Sequence, residues 1–305
     1  MNVFHRAAPA LRQAVLTVWA VFWRAARKYD ETDGEQRAAS FSYYAFFALF
    51  PLIVLLISVS TSFLGSTELA TKEITGYVSQ YLPTETTESF RIDETINGVV
   101  KSRQSAGFIA FGVLAWTAIR FFYALVHGVN RAWGTKEYAW WRMPIKNLAM
   151  TAILASALLV GILSPLVLRQ FETFYWAHSW EIGLDFWFAN NVFNLIRFLV
   201  PPLVLFYGFL MLYKFAPRRR TQFREVWFSA LFVTLGVDVL QRIFTIYARN
   251  ITNFNALYGT FGAVIALLFW IYLIGSIIIF GACLSAAEYE VKMSLADQSE
   301  SNWAK

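Results

Sequence analysis

Long uncharged apolar runs, separated by shorter polar segments, dominate this chain. Two of them, from Ala38 to Thr67 and from Asn250 to Ala287, far exceed the ~20 residues that cross the hydrocarbon of a bilayer. Run length predicts six spans, at about 41–64, 106–130, 147–169, 186–213, 226–249 and 258–287. The chain is therefore predicted to be all-α, a polytopic membrane helix bundle. Its six-span domain (41–287) lies between an N-terminal segment (1–40) and a C-terminal tail (288–305).

Two further segments carry helical periodicity outside the predicted spans. The apolar core of Leu11 to Asp30 is too short to span and is followed directly by cations, so we expect an amphipathic helix at the cytoplasmic interface. If this segment does span, the count becomes seven and the termini lie on opposite sides. The loop 65–105 is predicted to form two amphipathic external helices hinged near Pro83.

Composition and charge agree with a membrane protein. The 305 residues are 57% hydrophobic and only 15% charged, whereas soluble domains have about 25% charged residues. The formal charge of +6 comes from basic residues concentrated in alternate loops, including Lys214 to Arg224. This is the positive-inside pattern, which predicts that both termini and this loop are cytoplasmic. We therefore attribute the positive charge to topology and predict no nucleic-acid partner.

Polar residues inside three predicted spans recur at helical spacing. They are Thr117, Arg120 and His127 in the second span, Asn190, Asn194 and Arg197 in the fourth, and Thr234, Asp238, Gln241, Arg242, Thr245 and Arg249 in the fifth. A spacing of three or four places each set on one helix face. Asp238 and Arg242, four apart, are expected to pair within their helix.

Two interpretations of these charges remain open. Arg120, Arg197, Arg242 and Asp238 together carry three positive charges against one negative. In the structural interpretation they bond to one another, to backbone carbonyls and to acids at the span ends, and so hold the helices together. In the functional interpretation the arginines line a cavity that attracts an anionic headgroup. The candidate substrate-binding residues are then Arg120, Arg197, Arg242, Asp238, Asn194 and His127.

The sequence contains no recognisable catalytic pattern. The three histidines are scattered, there is a single cysteine, and no phosphate-binding loop, nucleophile elbow or dinucleotide fingerprint occurs. The sequence therefore predicts no cofactor, no metal site and no enzyme. An acidic cluster (Asp30, Glu31, Asp33 and Glu35) is interpreted as a solvated turn and helix start, and the glycines of the last span as sites of close helix contact.

Three segments of the chain resemble a known family. Arg37 to Ser58 and Tyr258 to Glu288 resemble the first and last spans of the YihY/virulence factor BrkB family, and Phe215 to Val233 resembles its basic loop and entry to span 5. The resemblance covers about residues 20–290. It implies a bacterial inner-membrane protein with about six spans, from a family linked to serum resistance and considered as transporters of envelope lipids. Cys283 departs from the family, whose members commonly carry an acid after the Gly-Ala of span 6.

The leading hypothesis is a transporter or flippase of an anionic, amphiphilic substrate. The alternative is a non-transporting scaffold whose external helices dock an envelope partner. Expected partners are membrane lipids, the anionic substrate, and a second copy or an envelope protein. A distant third, ribonuclease activity, follows an older family label that the residues do not support.

Overall fold

The computed structural model describes residues 3–48, 107–135, 186–250 and 260–303, with a few isolated positions between 156 and 175. All regular secondary structure in these residues is helical, which confirms the all-α prediction. The helices are α1 (Val3–Glu31), α2 (34–48), α3 (Gly107–Ala132), α4 (Phe186–Phe215), α5 (Phe223–Asn250) and α6 (Thr260–Trp303).

Helix α6 is the central helix of the described bundle. Helices α1, α3 and α5 all pack on it, Tyr213 of α4 donates a hydrogen bond to its Ile278 carbonyl at 2.7 Å, and Phe41 of α2 lies against Gly275. Every residue from 281 to 287 is buried. Seven consecutive positions go around a helix almost twice, so neighbours must cover this part of α6 on all sides.

Glycines let the neighbouring helices approach α6 closely. A side-chain carbon added at Gly275 would lie 2.6 Å from Phe41 Cδ1, and one added at Gly281 would meet the side chain of Val233 and the Tyr213 hydroxyl. No L side chain fits at such distances without movement of its neighbours. The prediction that the glycines of the last span serve close helix contact is confirmed for these two.

Helix α1 joins the bundle through its second half. Phe22 contacts Phe232 of α5 and Phe280 of α6, with ring centroids 5.4 and 6.4 Å away. Val21 and Ala25 are buried on the same side, whereas Val15, Leu16 and Trp19 of the first half are exposed. The predicted helix from Leu11 is therefore present, but it starts earlier, at Val3, and is part of the bundle at its C-terminal end.

A two-residue turn connects α1 to α2. The backbone N–H of Thr32 donates to the Lys28 carbonyl, and Asp33 adopts a φ of 56°, a left-handed conformation that Asp tolerates better than most residues. The Arg37 side chain donates to the Thr32 carbonyl at 2.7 Å. The acidic residues of this segment are exposed, so its interpretation as a solvated turn and helix start is confirmed.

Three described helices are long and apolar enough to cross a membrane, at Asn191–Phe215, Phe223–Ile246 and Val264–Gln298. Helix α6 runs well past the predicted span end at 287, because its polar extension is stabilised by pairs such as Lys292 with Glu288, 2.5 Å apart and one turn away. The predicted span 147–169 and external loop 65–105 fall outside the described residues, apart from isolated positions of the span. The count of six spans stays a prediction.

Candidate functional site

Two opposite charges of α5, Asp238 and Arg242, form an ion pair inside the candidate span Phe223–Ile246. Arg242 donates to Asp238 Oδ2 through Nε at 3.2 Å and lies 3.1 Å from the same oxygen through its terminal nitrogen. The expected pairing within one helix is confirmed. Because both donors meet one carboxylate oxygen, the second oxygen of Asp238 takes no part in this pair.

This ion pair lies on the outer face of α5. The side chains of Asp238 and Arg242 are 53% and 71% exposed, whereas Val237 and Phe244 on the inner face are buried against the bundle. The exposed neighbours on the outer face are apolar: Leu235, Val239, Ile243 and Ile246. A charged group facing lipid near the bilayer centre costs roughly 2.5 to 3.5 kcal/mol or more. The pair thus needs a polar surrounding other than the described core.

Contacts with α6 show how far along the bundle axis each predicted residue lies. Gly128 of α3 lies beside Ile279, and Gly236 of α5 lies beside Ile277. The ring contacts of Trp133 with Tyr289 show that α3 runs parallel to α6, and those of Phe232 with Phe280 and of Phe244 with Trp270 show that α5 runs antiparallel to it.

Arg120 and Arg242 therefore lie at similar depths. Arg120 is eight residues before Gly128, and Arg242 is six residues after Gly236, so each comes to the level of Ile271. Both arginines are exposed, and the Arg120 guanidinium carbon lies 5.8 Å from the ring centre of Trp116, one turn away on α3. They belong to helices that meet different faces of α6.

The remaining predicted residues lie above and below this level. Arg197 precedes Tyr213, which bonds to Ile278, by 16 residues, so it lies roughly 14 Å beyond Arg242 at a rise of about 1.5 Å per residue. Asn194 is a further turn away, and both are exposed on α4. His127 lies on the opposite side of the Ile271 level, stacked on Tyr123 with ring centroids 5.6 Å apart. The six residues form a series along the bundle, and among them Asp238 and Arg242 are in direct contact.

A second polar group, which sequence reasoning missed, lies where α3 and α4 end and α5 begins. Asn130, only 2% exposed, donates to the carbonyls of Val126 and Ala216 at 2.8 and 3.0 Å. Its Oδ1 accepts from the Thr135 hydroxyl at 2.9 Å and the backbone N–H of Arg218 at 2.8 Å. Both donor hydrogens and both lone pairs of this amide are used. Asn130 therefore fixes the connection 216–222 to α3.

Arg219 fastens the same connection to α6. Its guanidinium carbon lies 3.5 Å from the ring centre of Tyr289 and 5.2 Å from that of Trp133, and a terminal nitrogen lies 3.3 Å from Glu225 Oε1. The other Glu225 oxygen accepts from the backbone N–H of Gln222 at 2.9 Å, which caps the start of α5. One arginine of the basic loop is thus a structural residue.

A third group of charges joins the two terminal helices. Glu290 of α6 accepts from Lys28 Nζ at 2.5 Å and from Arg24 Nε at 2.9 Å, and Arg24 also lies 3.4 Å from Glu31. The bond to Glu290 is the largest effect on Arg24 and raises its pKa. These contacts bring together residues more than 260 positions apart, which no local spacing in the sequence could predict.

The fold and these charges define a class: an integral membrane protein made of a helical bundle. A profile of the virulence factor BrkB family matches residues 25–304, and the chain belongs to this family. The expected family resemblance is thereby confirmed.

Several similar proteins are named as membrane proteins. A UPF0761 membrane protein of Psychrobacter sp. (strain PRwf-1) is 26% identical over 270 residues, which are 84% of this chain and 46% of the relative. One of Neisseria meningitidis serogroup B (strain MC58) is 22% identical over 88% of this chain and 63% of the relative. The chain thus spans about half to two thirds of these two relatives.

Another relative is named for a nuclease. A ribonuclease-like protein, YfkH, of Bacillus subtilis (strain 168) is 27% identical over 272 residues, which are 87% of this chain and 94% of the relative. No group of three or more His, Cys, Asp or Glu positioned to hold a metal occurs within the described ranges. No solved structure matches the chain.

Proposed function

We propose that this protein moves an anionic, amphiphilic substrate, such as a lipid with a phosphate or carboxylate headgroup, across the membrane. The observation that carries the proposal is the set of exposed charges on α3, α4 and α5, helices otherwise built from apolar residues. Arg120, Arg197 and Arg242 would receive the headgroup, and Asp238 would balance or gate the charge.

The charge balance supports an anionic substrate. Three arginines and one aspartate leave an excess of two positive charges among these four residues, and the single acid is engaged by Arg242. Guanidinium groups bind phosphate and carboxylate through paired donors, and they stay charged when partly desolvated. An anion bound by any of these arginines would form charge-assisted hydrogen bonds and reduce the excess of positive charge.

The spread of these residues along the bundle favours a path over a single closed site. Along the bundle axis, Asn194 and Arg197 lie about one turn apart, Arg242 and Arg120 share a level roughly 14 Å further on, and His127 lies roughly 10 Å beyond that level. A headgroup bound at one level could pass to the next without entering lipid unpaired, while its acyl chains remain in the surrounding hydrocarbon. The exposure of these side chains is consistent with such access.

Transport is tested by reconstituting the full-length protein in vesicles and following a fluorescent anionic lipid analogue between leaflets. We expect Arg197→Gln and Arg242→Gln each to lower the rate about ten-fold or more, because each removes one charge-assisted contact worth roughly 1.5 to 3 kcal/mol. Arg27→Gln, which removes an exposed arginine of α1, is the matched control and should transport normally.

A zwitterionic analogue separates anion transport from nonspecific scrambling. Equal rates for both analogues would contradict the charge-based mechanism, and normal rates in both arginine variants would contradict the residue assignment. The scaffold alternative would be supported by two results together. The unmodified protein would show no transport, and the arginine variants would yield less folded protein. Purified protein that cleaves RNA in the presence of metal would favour the activity for which the Bacillus relative is named.

We further propose location in the bacterial inner membrane with both termini in the cytoplasm. The alternation of basic loops supports this orientation, and the family supports a membrane location. A reporter fused after residue 300 should then be active in the cytoplasm. A periplasmic result would favour seven spans, with α1 crossing the membrane.

A further inference from the structure

The basic connection 216–222 is a rigid part of the bundle. Ala216 and Thr221 at its two ends are buried, and the Thr221 hydroxyl donates to the Lys214 carbonyl at 2.9 Å. Asn130 holds it from α3, and Arg219 holds it from α6. A loop that served only to set topology would need positive charge but no such fixation.

This rigid backbone displays arginines outward. While Arg219 turns inward onto Tyr289, its neighbours Arg218 and Arg220 are exposed. Arg224, in the first turn of α5, and Arg131, next to Asn130, are exposed as well. The four outward cations thus project from elements whose relative positions are fixed by hydrogen bonds.

Exposed aromatic residues lie next to the basic connection along the chain. Phe215 ends α4, Phe223 begins α5 and Trp227 follows one turn later, and each is close to half exposed. They occupy the ends of two candidate spans, Asn191–Phe215 and Phe223–Ile246. Aromatic side chains at span ends are typical of the membrane interface, where their rings lie at headgroup depth. The adjacent arginines are therefore placed within reach of lipid phosphates.

We infer that Arg131, Arg218, Arg220 and Arg224 form a preorganised binding site for the phosphate headgroups of anionic membrane lipids. The aromatic residues lie against the upper acyl chains, and Asn130 is the positioning residue. This site is separate from the intramembrane arginines, and it does not depend on transport. A fixed array loses less side-chain and loop entropy on binding than a flexible polybasic segment would.

The test compares lipid preference at equilibrium. The full-length protein is reconstituted in phosphatidylcholine bilayers with a trace of spin-labelled phosphatidylglycerol or phosphatidylcholine, and the motionally restricted fraction of each label gives its relative association. We expect a preference for phosphatidylglycerol that falls in the Arg220→Gln/Arg224→Gln double variant by up to about five-fold per arginine. The control Arg27→Gln/Lys292→Gln removes two exposed cations elsewhere and should keep the preference.

A milder variant tests preorganisation with all four cations present. Thr135→Val removes one hydrogen bond to Asn130 Oδ1 and should weaken the preference without changing net charge. No preference in the unmodified protein, or an undiminished one in the double variant, would overturn the proposal. A preference abolished by inorganic phosphate but not by sodium chloride of equal ionic strength would assign the site to free phosphate instead of lipid.

Discussion

Two polar regions of this bundle satisfy their side chains in opposite ways. Asn130 is buried, and each of its amide hydrogens and lone pairs meets a partner within the protein. Asp238 and Arg242 are paired with each other but remain more than half exposed beside exposed apolar residues of the same helix. The first arrangement is complete within the chain, whereas the second calls for something beyond the described core.

The difference separates structural from functional polarity. A buried amide with four bonds contributes to stability because removing it costs all four hydrogen bonds of a buried group. An exposed ion pair contributes little to folding, about 0 to 1 kcal/mol in water, and its surroundings are open to a ligand or a second protein. Substitutions of matched residues in the two regions should therefore affect stability and transport differently.

The largest expected change in the free energy of unfolding comes from α6, where the side chains of neighbouring helices are closely packed. Gly281→Ala should destabilise the protein by about 3 kcal/mol, because the new methyl group would overlap Val233 and displace Tyr213 from its bond to Ile278. Gly112→Ala on α3 is the control, since a methyl group there meets no atom within 4 Å. It should be neutral or slightly stabilising.

Unfolding of both variants in mixed micelles with increasing dodecyl sulfate measures these free energies. Equal stability of the two glycine variants would mean that α6 is not the closely surrounded central helix described above.

The second effect contrasts two asparagines. Asn130→Ala should cost about 2 to 3 kcal/mol, because it removes the hydrogen bonds that the Asn130 amide makes with the Ala216 carbonyl and the Arg218 N–H. Asn194→Ala changes an exposed residue of α4 and should alter stability by less than about 0.5 kcal/mol. The same unfolding titration measures both, and lipid transport is assayed in parallel.

We expect the transport rate of the folded protein to show the opposite order, with the larger effect at Asn194. Asn194→Ala should slow it if Asn194 contacts the substrate, whereas the folded fraction of Asn130→Ala should transport normally. A stability loss at Asn194 comparable to that at Asn130 would place both in one structural class.

Sequence reasoning was most successful where the information is local. The length of apolar runs predicted helices at α3, α4, α5 and α6, and the four-residue spacing predicted the Asp238–Arg242 pair. Hydrocarbon thickness and helical pitch, which are the same for all proteins, determine both features.

Contacts between distant helices could not be predicted in this way. Asn130 is a single polar residue near the end of an apolar run, and nothing nearby indicates that Ala216 and Arg218 complete its bonds. The only hint was an amide placed just before the chain turns. The polar part of α6 was missed for another reason: hydropathy marks where a span ends but not where a helix ends.

The smallest expected effect compares two charge clusters. Glu290→Gln weakens the bonds from Lys28 and Arg24, and because Lys28 is largely buried, we expect a loss of about 1 to 2 kcal/mol that falls mainly on the docking of α1. The expected loss of stability is small because the Glu290 side chain is 41% exposed to solvent. Hydrogen exchange of the α1 backbone should rise, while that of α5 should not.

Asp238→Asn is the matched change on the outer face. The neutral amide keeps an oxygen that can still accept from Arg242, and both side chains are already exposed, so hydrogen exchange in α5 should change little. Transport of the anionic lipid should change more, because the substitution leaves the positive charge of Arg242 unbalanced. If Asp238→Asn loosened α5 as much as Glu290→Gln loosens α1, the outer pair would be a structural clamp, and the distinction between the two polar regions would fail.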